Sequence, residues 1–151
     1  AVMFEGEGAH ASIRSSANVG HDQHIDLTTC VYHNVKSCTS DQIVRNVLHD
    51  KATGVFQGKV YVEKGADYTD GSQSSKALLL SPLSSMHAKP ELEIYADEVK
   101  CAHGATCGAL DEKALFYARS RGIAYEDARA MLVTAFLEEV KDGLPLIEDS
   151  E

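Results

Sequence analysis

His24-Ile25-Asp26-Leu27-Thr28-Thr29-Cys30-Val31-Tyr32 alternates between two sets of side chains. Ile25, Leu27, Thr29 and Val31 fall on one face of an extended strand, and His24, Asp26, Thr28, Cys30 and Tyr32 on the other. Val55-Phe56-Gln57-Gly58-Lys59-Val60-Tyr61-Val62 repeats the pattern, with Phe56, Val60 and Val62 inward and Gln57, Lys59 and Tyr61 outward. A third stretch, Leu92-Glu93-Ile94-Tyr95-Ala96-Asp97, directs Leu92, Ile94 and Ala96 inward. Alternation of this kind belongs to sheets with one buried and one polar face.

Turn chemistry recurs near Gly20, Ser37, Thr53-Gly54, Asp70-Gly71 and Lys89-Pro90, about every 16 to 20 residues, which is the scale of stacked solenoid coils. His49-Asp50, after Val47-Leu48, reads as an ordinary turn. A short-stranded sandwich or barrel turns every ~8 to 12 residues. The wider spacing therefore predicts a β-solenoid.

The last third of the chain changes period. Leu110-Asp111-Glu112-Lys113 opens a helix carrying Ala114, Leu115, Tyr117 and Ala118, with acidic residues first and Arg119 and Arg121 last, as the helix dipole favours. Gly122 is its natural stop. A second helix runs from about Glu126 to Lys141, with Ala128, Met131, Leu132, Ala135, Phe136 and Val140 as its apolar set and Gly143 and Pro145 as its end. Two short helices cannot bury their apolar faces alone, so they must dock on the solenoid, on a partner, or on both. The expected organisation is a β core over 1–108, a two-helix subdomain over 109–144 and an acidic tail over 145–151.

Composition narrows the function. The 151 residues are 44% hydrophobic and 25% charged, with a formal charge of −9. Nucleic acid and anionic membranes are excluded as main partners, because both need a basic face. The longest apolar run, Ala77-Leu78-Leu79-Leu80, is far short of a membrane span. Ala1-Val2-Met3-Phe4-Glu5 lacks the basic-then-apolar pattern of a secretory signal and starts as though cut from something longer. Cys30, Cys38, Cys101 and Cys107 show no Cys-x-x-Cys spacing, and reduced thiols in a cytoplasm are expected. The chain has no Gly-x-x-x-x-Gly-Lys-[Ser/Thr] loop, no Gly-x-Ser-x-Gly elbow and no His-Glu-x-x-His. No enzyme is read from these residues.

Two groups could carry chemistry. Lys100-Cys101-Ala102-His103-Gly104-Ala105-Thr106-Cys107-Gly108 holds two thiols and an imidazole within seven residues. Cys101 and His103 share one strand face about 6 to 7 Å apart, and thiolate with imidazole suits iron, zinc or copper. Equally, Cys101 and Cys107 fit as small buried hydrophobes, with His103 bonded to a backbone carbonyl. The second group is His21, His24 and Cys30, from which a cupin-like metal site can be drawn. It competes with a merely solvated strand face.

The run Lys89-Pro90-Glu91-Leu92-Glu93-Ile94-Tyr95-Ala96-Asp97-Glu98-Val99-Lys100-Cys101-Ala102-His103-Gly104-Ala105-Thr106 resembles the signature of the SufB/SufD family of iron–sulfur cluster assembly proteins. The likeness continues through Leu110-Asp111-Glu112, Ala114-Leu115-Phe116-Tyr117 and Arg119-Ser120-Arg121-Gly122-Ile123. Upstream, His33, Cys38-Thr39-Ser40, Gly54-Val55-Phe56-Gln57-Gly58-Lys59-Val60 and Leu78-Leu79-Leu80-Ser81 are also similar to the family. The Lys-Cys-x-His-Gly-Ala-Thr form resembles the SufD branch, and the span resembles its C-terminal part.

The resemblance implies a right-handed parallel β-helix, truncated at its N-terminal side, followed by a helical subdomain. It implies a non-catalytic scaffold acting with a SufB-like paralogue and the SufC-like ABC ATPase. The cargo would be a nascent iron–sulfur cluster, transient and shared with a partner, with none expected in the isolated fragment. A homodimer is the other pairing considered. His103 matches the family histidine implicated in cluster binding at the subunit interface, with Cys101 beside it. Cys107 stands where the family often has an aliphatic residue, and Arg45-Asn46 where Lys-Gly is more usual. The helical region matches the part that docks SufC, making Leu115, Tyr117, Arg119 and Arg121 the contact candidates.

Overall fold

The computed structural model describes residues 1–143. Its strands are β1 (Val2–Phe4), β2 (His10–Val19), β3 (His24–His33), β4 (Thr39–Leu48), β5 (Thr53–Val62), β6 (Asp70–Leu79), β7 (Ser85–Ile94) and β8 (Lys100–Gly108). Odd-numbered strands form one parallel sheet in the order β1-β3-β5-β7, and even-numbered strands a second, β2-β4-β6-β8. Each coil contributes one strand to each sheet, so the chain winds a β-solenoid of four coils. One coil advances 29 residues from His24 to its partner Thr53, and 32 from Thr53 to Ser85. The turn spacing read from the sequence thus measures half a coil, one strand and one corner.

Parallel register stacks like positions into columns. Thr29, Gly58 and Pro90 form one inward column on the odd sheet, and Val31, Val60 and Leu92 the next. Across the interior, Gln42, Gln73 and His103 form a column on the even sheet. Val31, Val44, Leu48, Phe56, Val60 and Val62 fill the space between the sheets, all fully buried. Outside, Tyr32, Tyr61 and Tyr95 run along the odd sheet with ring centroids 5.7 and 5.5 Å apart, a tilted ladder of the kind that favours coil-on-coil stacking.

The corners differ from the glycine-based expectation. Gly8, Ser37 and Tyr68, at φ 72°, 59° and 62°, each stand two residues before β2, β4 and β6. His21 and Asp50, at 56° and 48°, stand three before β3 and β5. Left-handed residues therefore mark five of the seven corners, and with Gly65 (φ 83°) counted only two of the six are glycine. The turns read near Gly20, at Ser37 and at His49-Asp50 fall on three of these corners. The pairs Thr53-Gly54 and Asp70-Gly71, expected as turns, instead open β5 and β6. Gly54 is small because a Cβ there would lie 2.7 Å from the Met86 sulfur. Lys89-Pro90 lies inside β7, an outermost strand, where a residue without an N–H is tolerated. Ile94 continues the inward column above Val62 but is exposed at the edge of the sheet, while Leu92 and Ala96 pack on Val60, Val62 and Ala66.

Helix α1 (Glu112–Ser120) is capped by the Asp111 carboxylate, which accepts from the Lys113 N–H at 2.8 Å. It ends as expected at Gly122, at φ 87°, with the Gly122 and Ile123 N–H groups bonded to the Arg119 and Ala118 carbonyls. Helix α2 (Tyr125–Glu138) continues into a 3-10 turn, Glu139–Lys141. Its inner face is Ala128, Val133 and Val140 rather than the full set read from the sequence. Met131 and Ala135 face solvent. Helix α2 returns along the solenoid to cover the outer face of β2 and β4, and α1 rests on α2. The buried Arg45 guanidinium fixes this docking, with Nε donating to Glu139 at 2.8 Å and Nη1 to the Ser74 carbonyl at 3.2 Å. Arg45 and nearby Lys76 hold the Glu139 carboxyl below the usual carboxylate range, outweighing the upward push of its burial. The expected acidic tail and Pro145 lie outside the described residues.

Candidate functional site at the open end of the solenoid

Among the described residues, coil four has no coil above it. Its inward positions, Ala88, Pro90 and Leu92 on β7 and Cys101, His103, Ala105 and Cys107 on β8, continue the interior columns but are only half-buried or exposed. The helices do not close this end, because α2 has turned back to β2 and β4. His103 stands mid-strand on β8 with its ring exposed. The sequence reading put it on one face with Cys101, and the register places both there together with Cys107.

Cys101 is nevertheless poorly placed as a ligand. It packs against the Val60, Val62 and Ala66 cluster, and its sulfur lies 3.5 Å from where a Gly71 Cβ would be, so it is tucked down onto the coil below. Burial pushes its thiol above the ordinary range, partly offset by a hydrogen bond with the Gly71 backbone. Cys107 is exposed, yet partial desolvation pushes its thiol up as well. At both sulfurs burial disfavours the thiolate, the form that ligates metal. His103 is the exposed imidazole on this strand face.

The cupin-like alternative is overturned by the placement of its residues. His21 occupies a left-handed corner, with its N–H bonded to Asp50 at 2.9 Å. His24 opens β3, and Cys30 sits six residues further along the outer face, about 20 Å away at strand rise. A solenoid face is straight, so nothing bends these groups toward one point. Among the described residues no group of three or more His, Cys, Asp or Glu side chains is placed to hold a metal ion.

Of the helix candidates, Tyr117, Arg119 and Arg121 are exposed. Arg121 lies 5.0 Å over the Tyr117 ring and donates to its hydroxyl at 3.0 Å, and Arg119 lies 5.7 Å from the Tyr125 ring. Leu115 is the exception. At 5% exposure it belongs to the packing of the helix pair, and Phe116, 75% exposed, presents the apolar surface instead.

Comparison with known proteins decides the family. The family described as "SUF system FeS cluster assembly, SufBD core domain" matches residues 1–136. The chain belongs to the SufBD family. Among its relatives is the iron–sulfur cluster assembly protein SufD of Escherichia coli (strain K12), 39% identical over 143 residues, covering 95% of this chain and 34% of that protein. SufD of Bacillus subtilis (strain 168) is 30% identical over 93% of this chain and 32% of its own length. A chloroplastic protein of Arabidopsis thaliana, ABCI7, is 36% identical over 83% of this chain and 26% of its own. The chain therefore spans about a third or less of the length of these curated relatives. No helix among the described residues is long and apolar enough to cross a membrane.

Two residues of this family member were not legible as site-builders. Arg45 stood out only as a departure from Lys-Gly, yet it fastens the helices to the sheet. Gln73 lies in Asp70-Gly71-Ser72-Gln73-Ser74-Ser75, polar on both faces, so periodicity gave no sign that it points inward beneath His103.

Proposed function

We propose that the chain is a non-catalytic, SufD-like scaffold for iron–sulfur cluster assembly. It works with a SufB-like paralogue at the open end and a SufC-like ABC ATPase on the helices. Its setting is the cytoplasm or, as in the chloroplastic relative, an organelle. The observation that carries this reading is the position of His103, an interior-column residue left exposed on the last strand. One imidazole is half a site, and a thiol or carboxylate of the paralogue completes it. A second copy of the chain is the alternative occupant. The cluster is cargo, held between subunits and passed on.

The helices suit transmission. Tyr117, Arg119 and Arg121 offer a cationic, aromatic surface to the ATPase, and the Arg45–Glu139 clamp couples α2 to the solenoid. Motion of the ATPase would then reach the sheet through a rigid contact. The test is iron–sulfur reconstitution of the full complex with His103→Ala. Cluster yield should fall about ten-fold or more, the scale seen when a metal site loses even a supporting group. An undiminished yield would remove His103 from the mechanism.

A further inference from the structure

We propose that Gln73 is the positioning residue for His103. Its carboxamide oxygen accepts the N–H of one ring nitrogen and leaves the lone pair of the other directed out of the open end. The proposal rests on the reading of His103 as a cluster ligand, and deepens it by naming what aims the ring.

Gln73 and His103 are register partners on β6 and β8, with side chains on the same inward face of adjacent strands, about 5 Å apart. Gln73 is 3% exposed, and neither its Nε2 nor its Oε1 has a hydrogen-bond partner. Buried amides without partners are rare enough to need a reason. One coil down, the equivalent amide of Gln42 has its oxygen satisfied by the Thr29 hydroxyl at 2.6 Å. At the level of Gln73 the facing residue is Gly58, which has no hydroxyl to offer. A Cβ on Gly58 would lie 3.1 Å from the Gln73 Nε2, so the amide reaches across the interior to the opposite sheet. Above Gly58 stands Pro90, with neither donor nor acceptor in its side chain. In the column above, the polar group that Gln73 can meet is the His103 ring.

The chemistry fits a ligand histidine. A metal-bound imidazole nearly always donates its other N–H to an acceptor, which fixes the tautomer and the ring plane. A carboxamide oxygen is such an acceptor, and it carries no charge to be buried. The exposed ring can turn down onto it, because no coil above restrains it.

The test uses the full-length chain with 15N-labelled histidine, reading the neutral tautomers of His103 by NMR. One tautomer should prevail in the wild type. Gln73→Met, similar in volume but without the amide, should move the ratio at least about three-fold, and Gln73→Glu, which keeps an acceptor, should restore it. An even mixture in the wild type, or a ratio untouched by Gln73→Met, overturns the proposal. An even mixture in the wild type overturns the proposal even if the methionine variant does not fold. In the assembled complex, Gln73→Met should lower cluster yield about ten-fold and cause no further loss in a His103→Ala background. Full yield with His103→Ala, beside a tautomer that Gln73 still controls, would sink the ligand role while leaving the positioning intact.

Discussion

Coils three and four carry the same inward columns in the same register, and the environment treats them oppositely. Phe56, Gly58 and Val60 lie beneath Ala88, Pro90 and Leu92, and Gln73 beneath His103. The lower set is sealed, while the upper set is half-buried or exposed. In a stacked fold, burial at a given position depends less on the side chain than on whether another coil lies above it. An uncovered last coil is costly, with unpaired strand edges and interior residues facing water. A protein that completes its site with a second subunit can use that open surface.

Side-chain truncation is the strongest way to break this contrast. Phe56→Ala should destabilise the chain by about 3 to 5 kcal/mol, as for a fully packed aromatic. Leu92→Ala, on the open coil above Val60, should cost less than about 2 kcal/mol because part of that surface is already wet. Urea unfolding of the two variants measures the difference, and equal losses would mean that coil four is covered in solution.

Adding a methyl group probes the same contrast from the other side. A Cβ at Gly58 would lie 2.5 Å from the Phe56 ring, so Gly58→Ala should cost about 1 to 3 kcal/mol in thermal or urea unfolding. Gly104 on β8 has nothing within 4 Å of the same atom. Gly104→Ala should therefore stay within about 0.5 kcal/mol of the wild type.

A pH-dependent effect comes from the buried histidine. His33 is fully enclosed, bonded through Nε2 to the Ser40 hydroxyl at 2.9 Å and 4.7 Å from the Phe4 ring, with Nδ1 unpaired. Burial lowers its pKa, so the unfolded chain takes up the proton first. Stability contributed by neutral His33 is intact above the unfolded value of about 6.5 and declines as pH falls below it, by at most about 1.4 kcal/mol per pH unit. The loss levels off once the folded ring titrates as well. Chemical denaturation from pH 7.5 to 5 reads the slope, and His33→Gln should flatten it.

Much of this architecture was legible because its cause is local. The strand faces at Ile25–Val31 and Phe56–Val62, the α1 cap at Asp111 and its stop at Gly122 all follow from side-chain periodicity and backbone preference. The corners at Ser37 and His49-Asp50 were legible as turns, but not that at Tyr68, whose left-handed backbone its own residue type does not favour. At the site, the Cys-x-His face was legible, but not which of its members stays exposed. Cys101 and His103 look alike in a strand pattern, and only the coil beneath separates them, by drawing the sulfur down over Gly71.

By itself the sequence determined a β chain with a helical end and the family it resembles, since alternation, capping and motif are written in neighbouring residues. Tertiary structure alone decided that the helices fold back onto β2 and β4 through Arg45, that the last coil stays open, and that Gln73 lies unpaired under His103. Those facts join residues about thirty to ninety positions apart, and such contacts exist only once the coils have stacked.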